Sequence, residues 1–248
     1  MKHTSAELKQ IARYNLQGHY GIPMGASVVS GLITTVVLIP FSMILDVYNS
    51  VSDMVIYQLA SFIVSLVSTV FSAGLIRIHL RLARRETPVF TDLFFGFTRR
   101  PDRFILASLL SSLVGFLCVA PGTVCVVLFV LNGSVMLLLM GLLLFLAGFV
   151  VVILWELAAG LTILLLTEHD DLGVIDAYRE SFRLMSGNKG RRFYIELSFL
   201  GWALLAVCSC YIGMLWLIPY MNQTTVEFYR DLTGELDPQP EQAFQSYP

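Results

Sequence analysis

Charge is scarce in this sequence. Only 14% of the 248 residues are Asp, Glu, Lys or Arg, while 56% are apolar; a soluble domain carries roughly a quarter charged residues. That shortage excludes an ordinary water-soluble fold. Together with long uncharged apolar runs, it marks a membrane protein. The net charge of −2 implies no bulk attraction to nucleic acid. Cysteine is sparse as well. Cys118, Cys125, Cys208 and Cys210 lack paired zinc spacing and have no histidine cluster beside them. They read as small apolar fillers, with a Cys125–Cys210 bond in an oxidising exterior as the alternative. No HExxH, GxSxG, Walker or nucleotide-binding pattern occurs. No polar stretch exceeds about 30 residues, which leaves no room for a separate catalytic domain. The expectation is therefore a protein that is not an enzyme and carries no cofactor or metal.

What is present is a set of apolar runs with a charge asymmetry between them. The runs cover roughly 22–45, 54–80, 104–131 and 135–167, with a further apolar region after 193. The first follows Lys2, Lys9 and Arg13 and is not followed by a clean small-x-small site, so it is expected to stay as an uncleaved span. Two connections are basic. Residues 81–103 hold Arg81, Arg84, Arg85, Arg99, Arg100 and Arg103; residues 168–192 hold Arg179, Arg183, Lys189, Arg191 and Arg192. The connections 46–53 and 132–134 contain no Lys or Arg. Because cytoplasmic loops carry the Lys/Arg excess, the N-terminus and both basic segments are expected on the cytoplasmic side, with the other two connections outside. This sidedness requires two spans within 104–167, with Pro121 as a kink.

A short amphipathic segment precedes each membrane hairpin. In the first, Thr4 and Glu7 have capping-box spacing and Leu8, Ile11, Ala12 and Leu16 form a stripe. The second sets Leu93, Phe94 and Phe97 on one side, and the third repeats Val174, Tyr178, Phe182 and Met185. An apolar stripe with Arg and Lys suits the headgroup layer, where anionic lipids attract cations. The architecture expected is an all-α polytopic bundle of three such units, about 4–80, 88–167 and 172–232, followed by a polar disordered tail over 233–248. By this repeat the last unit is also a hairpin: 193–211 outward, a turn at Tyr211-Ile212-Gly213, and 214–232 returning, for six spans and a cytoplasmic C-terminus. Hydropathy alone favours five spans.

Certain residues also carry a family likeness. Ala177, Ser181, Leu184-Met185, Gly187-Asn188-Lys189, Phe193, Leu197-Ser198-Phe199, Gly201-Trp202, Gly213, Trp216, Pro219-Tyr220 and Phe228-Tyr229 form the most specific part. Ala12, Leu16, Gly18, Tyr20, Leu93-Phe94 and Gly96-Phe97 extend it over nearly the whole chain. Together they resemble the bacterial membrane family catalogued as domain of unknown function 975. The apolar stretch after Pro121-Gly122 is longer here than the family pattern. The resemblance implies a polytopic helical membrane protein in bacteria and brings no activity, substrate or catalytic residue.

Glu156 is the sharpest site candidate, placed by its spacing near mid-bilayer, where a carboxylate is expensive. In the six-span arrangement Asn222, Gln223 and Thr225 lie at a similar depth, so the four form a candidate polar core: interhelical hydrogen-bond glue, or a solute or proton site. Glu196 pairs with Arg192 at i,i+4, and Arg77 snorkels. His79 has no ligand partner at helical spacing. The clustered cations from Arg81 to Arg192 are the expected contacts to anionic lipid headgroups. The function expected is a non-catalytic scaffold, assembly or regulatory protein of the cell envelope, with a membrane protein as a partner. The alternative is a small-solute or lipid transporter built around Glu156.

Overall fold

The computed structural model describes residues 3–48 and 51–236, without the side chains of 44–48 and 51. Most of the expected polar tail, from 237 onward, lies outside the described residues. Every regular element described is helical. In chain order they are α1 (Ser5–Leu16), α2 (Gly21–Tyr48), α3 (Val51–Ala83), a 3₁₀ turn (Phe90–Phe94) running into α4 (Phe95–Thr98), α5 (Pro101–Asn132), α6 (Val135–Ala159), α7 (Thr162–Glu168), α8 (Val174–Met185), α9 (Lys189–Cys208) and α10 (Met214–Thr233).

The local signals that placed these helices are visible in their caps. Thr4 and Glu7 form the capping box: the Thr4 N–H donates to Glu7 Oε2 at 2.6 Å, and the Glu7 N–H to Thr4 Oγ1 at 3.3 Å. Helices α1 and α8 are both 12 residues long and end alike, each with a cap residue at φ −62, ψ 122. A left-handed glycine follows in both, Gly18 at φ 81 and Gly187 at φ 76. This turn redirects the chain from an amphipathic helix into a long one. The middle amphipathic segment is built differently, as a 3₁₀ turn plus one helical turn.

Four helical stretches are long and apolar enough to cross a membrane: Gly21–Met43, Ser52–Ala83, Pro101–Asn132 and Val135–Glu168. They form two antiparallel hairpins, α2–α3 and α5–α6. The connections are shorter than 46–53 and 132–134, because α2 runs to Tyr48 and α3 starts at Val51. Most of their length faces outward and is apolar, with Leu131 and Met136 among the exposed side chains. An apolar exterior of this extent is unstable in water and suits hydrocarbon.

The buried core lies at one end of these hairpins, where α2 begins, α3 ends, α5 begins and α6 ends. There Leu8, Phe104, Leu161, Leu166, Met185 and Phe228 are buried together. The 3₁₀ turn and α4 press against α3 so closely that a Cβ on Gly74 would collide with the Leu93 carbonyl, and one on Gly96 with the Val70 carbonyl. The α6 helix breaks at Gly160–Leu161. Ser181 of α8 fills the break: its hydroxyl donates to the Ala158 carbonyl at 2.7 Å and accepts from the Leu161 N–H at 3.3 Å. A side chain inserted into the helix ladder in this way accounts for a kink.

Helices α9 and α10 leave the core end and return to it, as an antiparallel pair. They are not among the four long apolar stretches. Gln223 of α10 is level with His79 of α3. The tip at Gly213 is ten residues away, about 15 Å, whereas α3 continues from His79 to Val51 for about 42 Å. The tip therefore stops about 27 Å short of the far end of α3. The turn was expected at Tyr211-Ile212-Gly213, with Gly213 as the turn residue. The left-handed positions of the turn are Cys210 at φ 51 and Tyr211 at φ 65. Gly213 matters for close approach, since a Cβ there would sit 2.9 Å from Ala206 Cα. All four cysteines are free.

Candidate functional site

The densest polar arrangement joins α1, α3 and α10. His79 is fully buried, and its Nδ1 meets Gln223 Oε1 at 2.8 Å. The Gln223 amide donates to Glu227 Oε1 at 2.8 Å and to the His79 carbonyl at 3.3 Å. With the amide oriented this way, His79 Nδ1 carries the proton, and Nε2 is buried without a hydrogen-bond partner. Glu227 is fully buried. Its Oε1 also accepts from Asn15 Nδ2 at 2.8 Å, and its Oε2 from Arg230 Nη1 at 2.9 Å. Arg230 goes on to the Ala83 carbonyl at 2.8 Å and to Glu235 at 3.0 Å. Glu235 also binds Arg84, which pairs in turn with Glu168. Burial pushes Glu235 up, but Arg84 and Arg230 outweigh it and hold its carboxyl below the usual carboxylate range. A parallel clamp binds Asp231 to the His3 N–H at 2.9 Å and to Arg191 at 2.7 Å.

The cations expected to contact headgroups mostly have partners inside the chain. Arg81 binds Asp92 at 2.7 Å. Arg99 and Arg100 face Asp170 and Asp102, and Arg179 and Arg183 face Asp176 and Glu180. Arg103 is buried and donates to the carbonyls of His169, Asp170 and Leu172. It has no surface left for a headgroup. Arg192 makes the expected i,i+4 pair with Glu196 at 2.9 Å. Arg77 stacks 4.2 Å over the Phe95 ring. Arg85 is exposed, with φ 60, and Lys189 starts α9.

The expected four-residue core is not assembled. Gln223 is taken up by His79 and Glu227. Asn222 is half-buried, and Thr225 donates to the Met221 carbonyl at 3.1 Å within its own helix. Glu156 is exposed on α6 and interacts with the charges of Arg192 and Glu196 on α9. The reason lies in α8, which folds back on α6 and packs Tyr178 and Phe182 against Trp155. Glu156 is thus level with the amphipathic helix and four residues from the break at Gly160.

The sequence reading gave His79 no partner and did not place Glu227 or Asn15 in the site, because His79 and its partner are 144 residues apart. The one local signal is the i,i+4 spacing of Gln223 and Glu227 on α10.

An all-α fold with four long apolar helices, closed at one end by a buried polar clamp, defines the class as a helical membrane protein. The family described as protein of unknown function (DUF975) matches residues 1–235, and the chain belongs to that family. No curated protein and no solved structure matches it.

Proposed function

We propose that this chain is a non-catalytic protein of the bacterial plasma membrane that organises, assembles or regulates a membrane protein partner. The saturation of Glu227 carries this reading. A buried carboxylate that already accepts from Asn15, Gln223 and Arg230 is spent on fixing α1 and α10 to α3, not on receiving a solute. The outward apolar faces of α2, α5 and α6 remain for lipid or for helices of a partner. The N-terminus and the basic segments 81–103 and 168–192 share the core end, and the Lys/Arg rule makes that end cytoplasmic. The α9–α10 hairpin enters from that side. Because its tip is level with the middle of α3, it is read as dipping into the membrane and returning, in place of a fifth and sixth span. Of the expected repeat, the shared geometry of α1 and α8 supports the first and third units.

Purification of the full chain in mild detergent, followed by native mass spectrometry, is expected to show a stoichiometric co-purifying membrane protein. A single species throughout would count against the proposal. The transporter alternative keeps one supporting observation, the exposed Glu156 beside Arg192, whose Nη1 is buried without a hydrogen-bond partner. That alternative requires Glu156→Gln to abolish uptake or resistance at unchanged protein level. The scaffold reading requires Glu156→Gln to leave the phenotype intact.

A further inference from the structure

Two hollows meet between α1 and the α9–α10 hairpin. One, of about 370 Å³, is walled by Trp202, Leu205, Trp216 and Leu217 and bounded by Arg13 and Tyr220. The other, of about 530 Å³, is lined on the α1 side by Lys9, Gln10 and Arg13. They share Arg13, Trp202 and Tyr220, so they form one cleft that is cationic at the α1 end and aromatic and aliphatic toward the hairpin tip. Lys9 and Arg13 are one helical turn apart. Lys9 donates to Ser198 Oγ at 3.1 Å and lies 5.6 Å from the Phe199 ring centroid. Arg13 lies 5.6 Å over the Tyr220 ring. Among the described residues neither has a carboxylate within ion-pair distance, in contrast to Arg81, Arg84, Arg191, Arg192 and Arg230.

We infer that this cleft binds one anionic glycerophospholipid, with its phosphate between Lys9 and Arg13 and an acyl chain along Trp202, Leu205 and Trp216. Charge complementarity selects an anion at the α1 end. The apolar wall selects an amphiphile over a free phosphate. Depth agrees: Arg13 precedes the first apolar stretch, which starts at Gly21, by eight residues (21 − 13), which puts it in the headgroup layer, while the tryptophans lie deeper. The inference rests on the proposed insertion of the α9–α10 hairpin, which labelling at residue 212 reads independently of lipid.

The test uses the full chain in detergent, titrated with phosphatidylglycerol or phosphatidylcholine and followed by native mass spectrometry. One phosphatidylglycerol is expected per chain, with phosphatidylcholine held at least tenfold more weakly. At roughly one surface-charge contribution per cation, Lys9→Gln with Arg13→Gln should weaken phosphatidylglycerol about thirtyfold. Arg99→Gln with Arg100→Gln should change nothing. Brominated phosphatidylglycerol should quench Trp202 and Trp216 in a Trp155→Phe background. If the double variant fails to fold, the wild-type headgroup preference and the quenching still decide. Equal retention of both lipids, retention undiminished in a folded double variant, or displacement by glycerol phosphate at matched concentration would overturn the inference.

Discussion

Glu227 shows what a single residue does in this protein. Its carboxylate is fully buried and is tolerable there because donors from two helices and an arginine surround it. Glu227→Ala leaves Asn15, Gln223 and Arg230 facing an empty site, and breaking a buried charged pair from one side costs about 3–5 kcal/mol. Asn15→Ala removes one donor and is expected to cost about 1–3 kcal/mol. Denaturant unfolding in detergent micelles measures both against Glu86→Ala on the surface. A Glu227→Ala variant no less stable than that control would refute the clamp. Only part of this site was legible from sequence. Gln223 was singled out by its polarity in an apolar helix, whereas His79 and Asn15 are ordinary residues until the fold brings them to α10. Glu156 was conspicuous for the same reason as Gln223, yet α8 sets it at the edge of the bundle.

Among the elements, backbone contact determines how the middle amphipathic segment packs. Identical substitutions should have opposite signs at two glycines. Gly74→Ala drives a Cβ into the Leu93 carbonyl, a rigid backbone atom, and overpacking of this kind costs roughly 1–3 kcal/mol. Gly31→Ala in α2 meets nothing within 4 Å and removes glycine's backbone entropy, for a gain of about 0.5–1 kcal/mol. Melting temperatures in detergent should move in opposite directions; movement in the same direction would show that α3 and the 3₁₀ turn are not packed as described. The helices themselves were readable. Four apolar runs and a capping box are local signals, and each appears where the pattern put it. The break at Gly160–Leu161 was not readable, because Ser181 reaches it from 20 residues away.

For the whole molecule the open variable is how far the third hairpin penetrates. With the native cysteines replaced by serine, Ser134→Cys at the α5–α6 tip should react with a membrane-impermeant maleimide on intact cells, and Ile212→Cys should not. Labelling at 212 from outside would mean that α9 and α10 cross the bilayer after all and that the sixfold count from the repeat was right. A reporter fused after Pro248 should read inside under either arrangement, so it controls for orientation and not for depth.

By itself the sequence determined the solvent and carries the proposed orientation. Apolar runs about the thickness of a bilayer must lie in one, and clustered Lys and Arg bias which loops stay inside; both are sums over neighbours in the chain. Tertiary structure decided what the polar residues are for. It paired Arg84, Arg99, Arg103 and Arg191 with acids from distant segments and spent Gln223 and Glu227 on a clamp. It also stopped the α9–α10 tip short of the far end of α3 and left Lys9 and Arg13 beside an aromatic wall with no carboxylate in ion-pair distance among the described residues. Burial and ion pairing depend on which residues meet in space, and here Asn15 and Glu227 are 212 residues apart and His79 and Gln223 144.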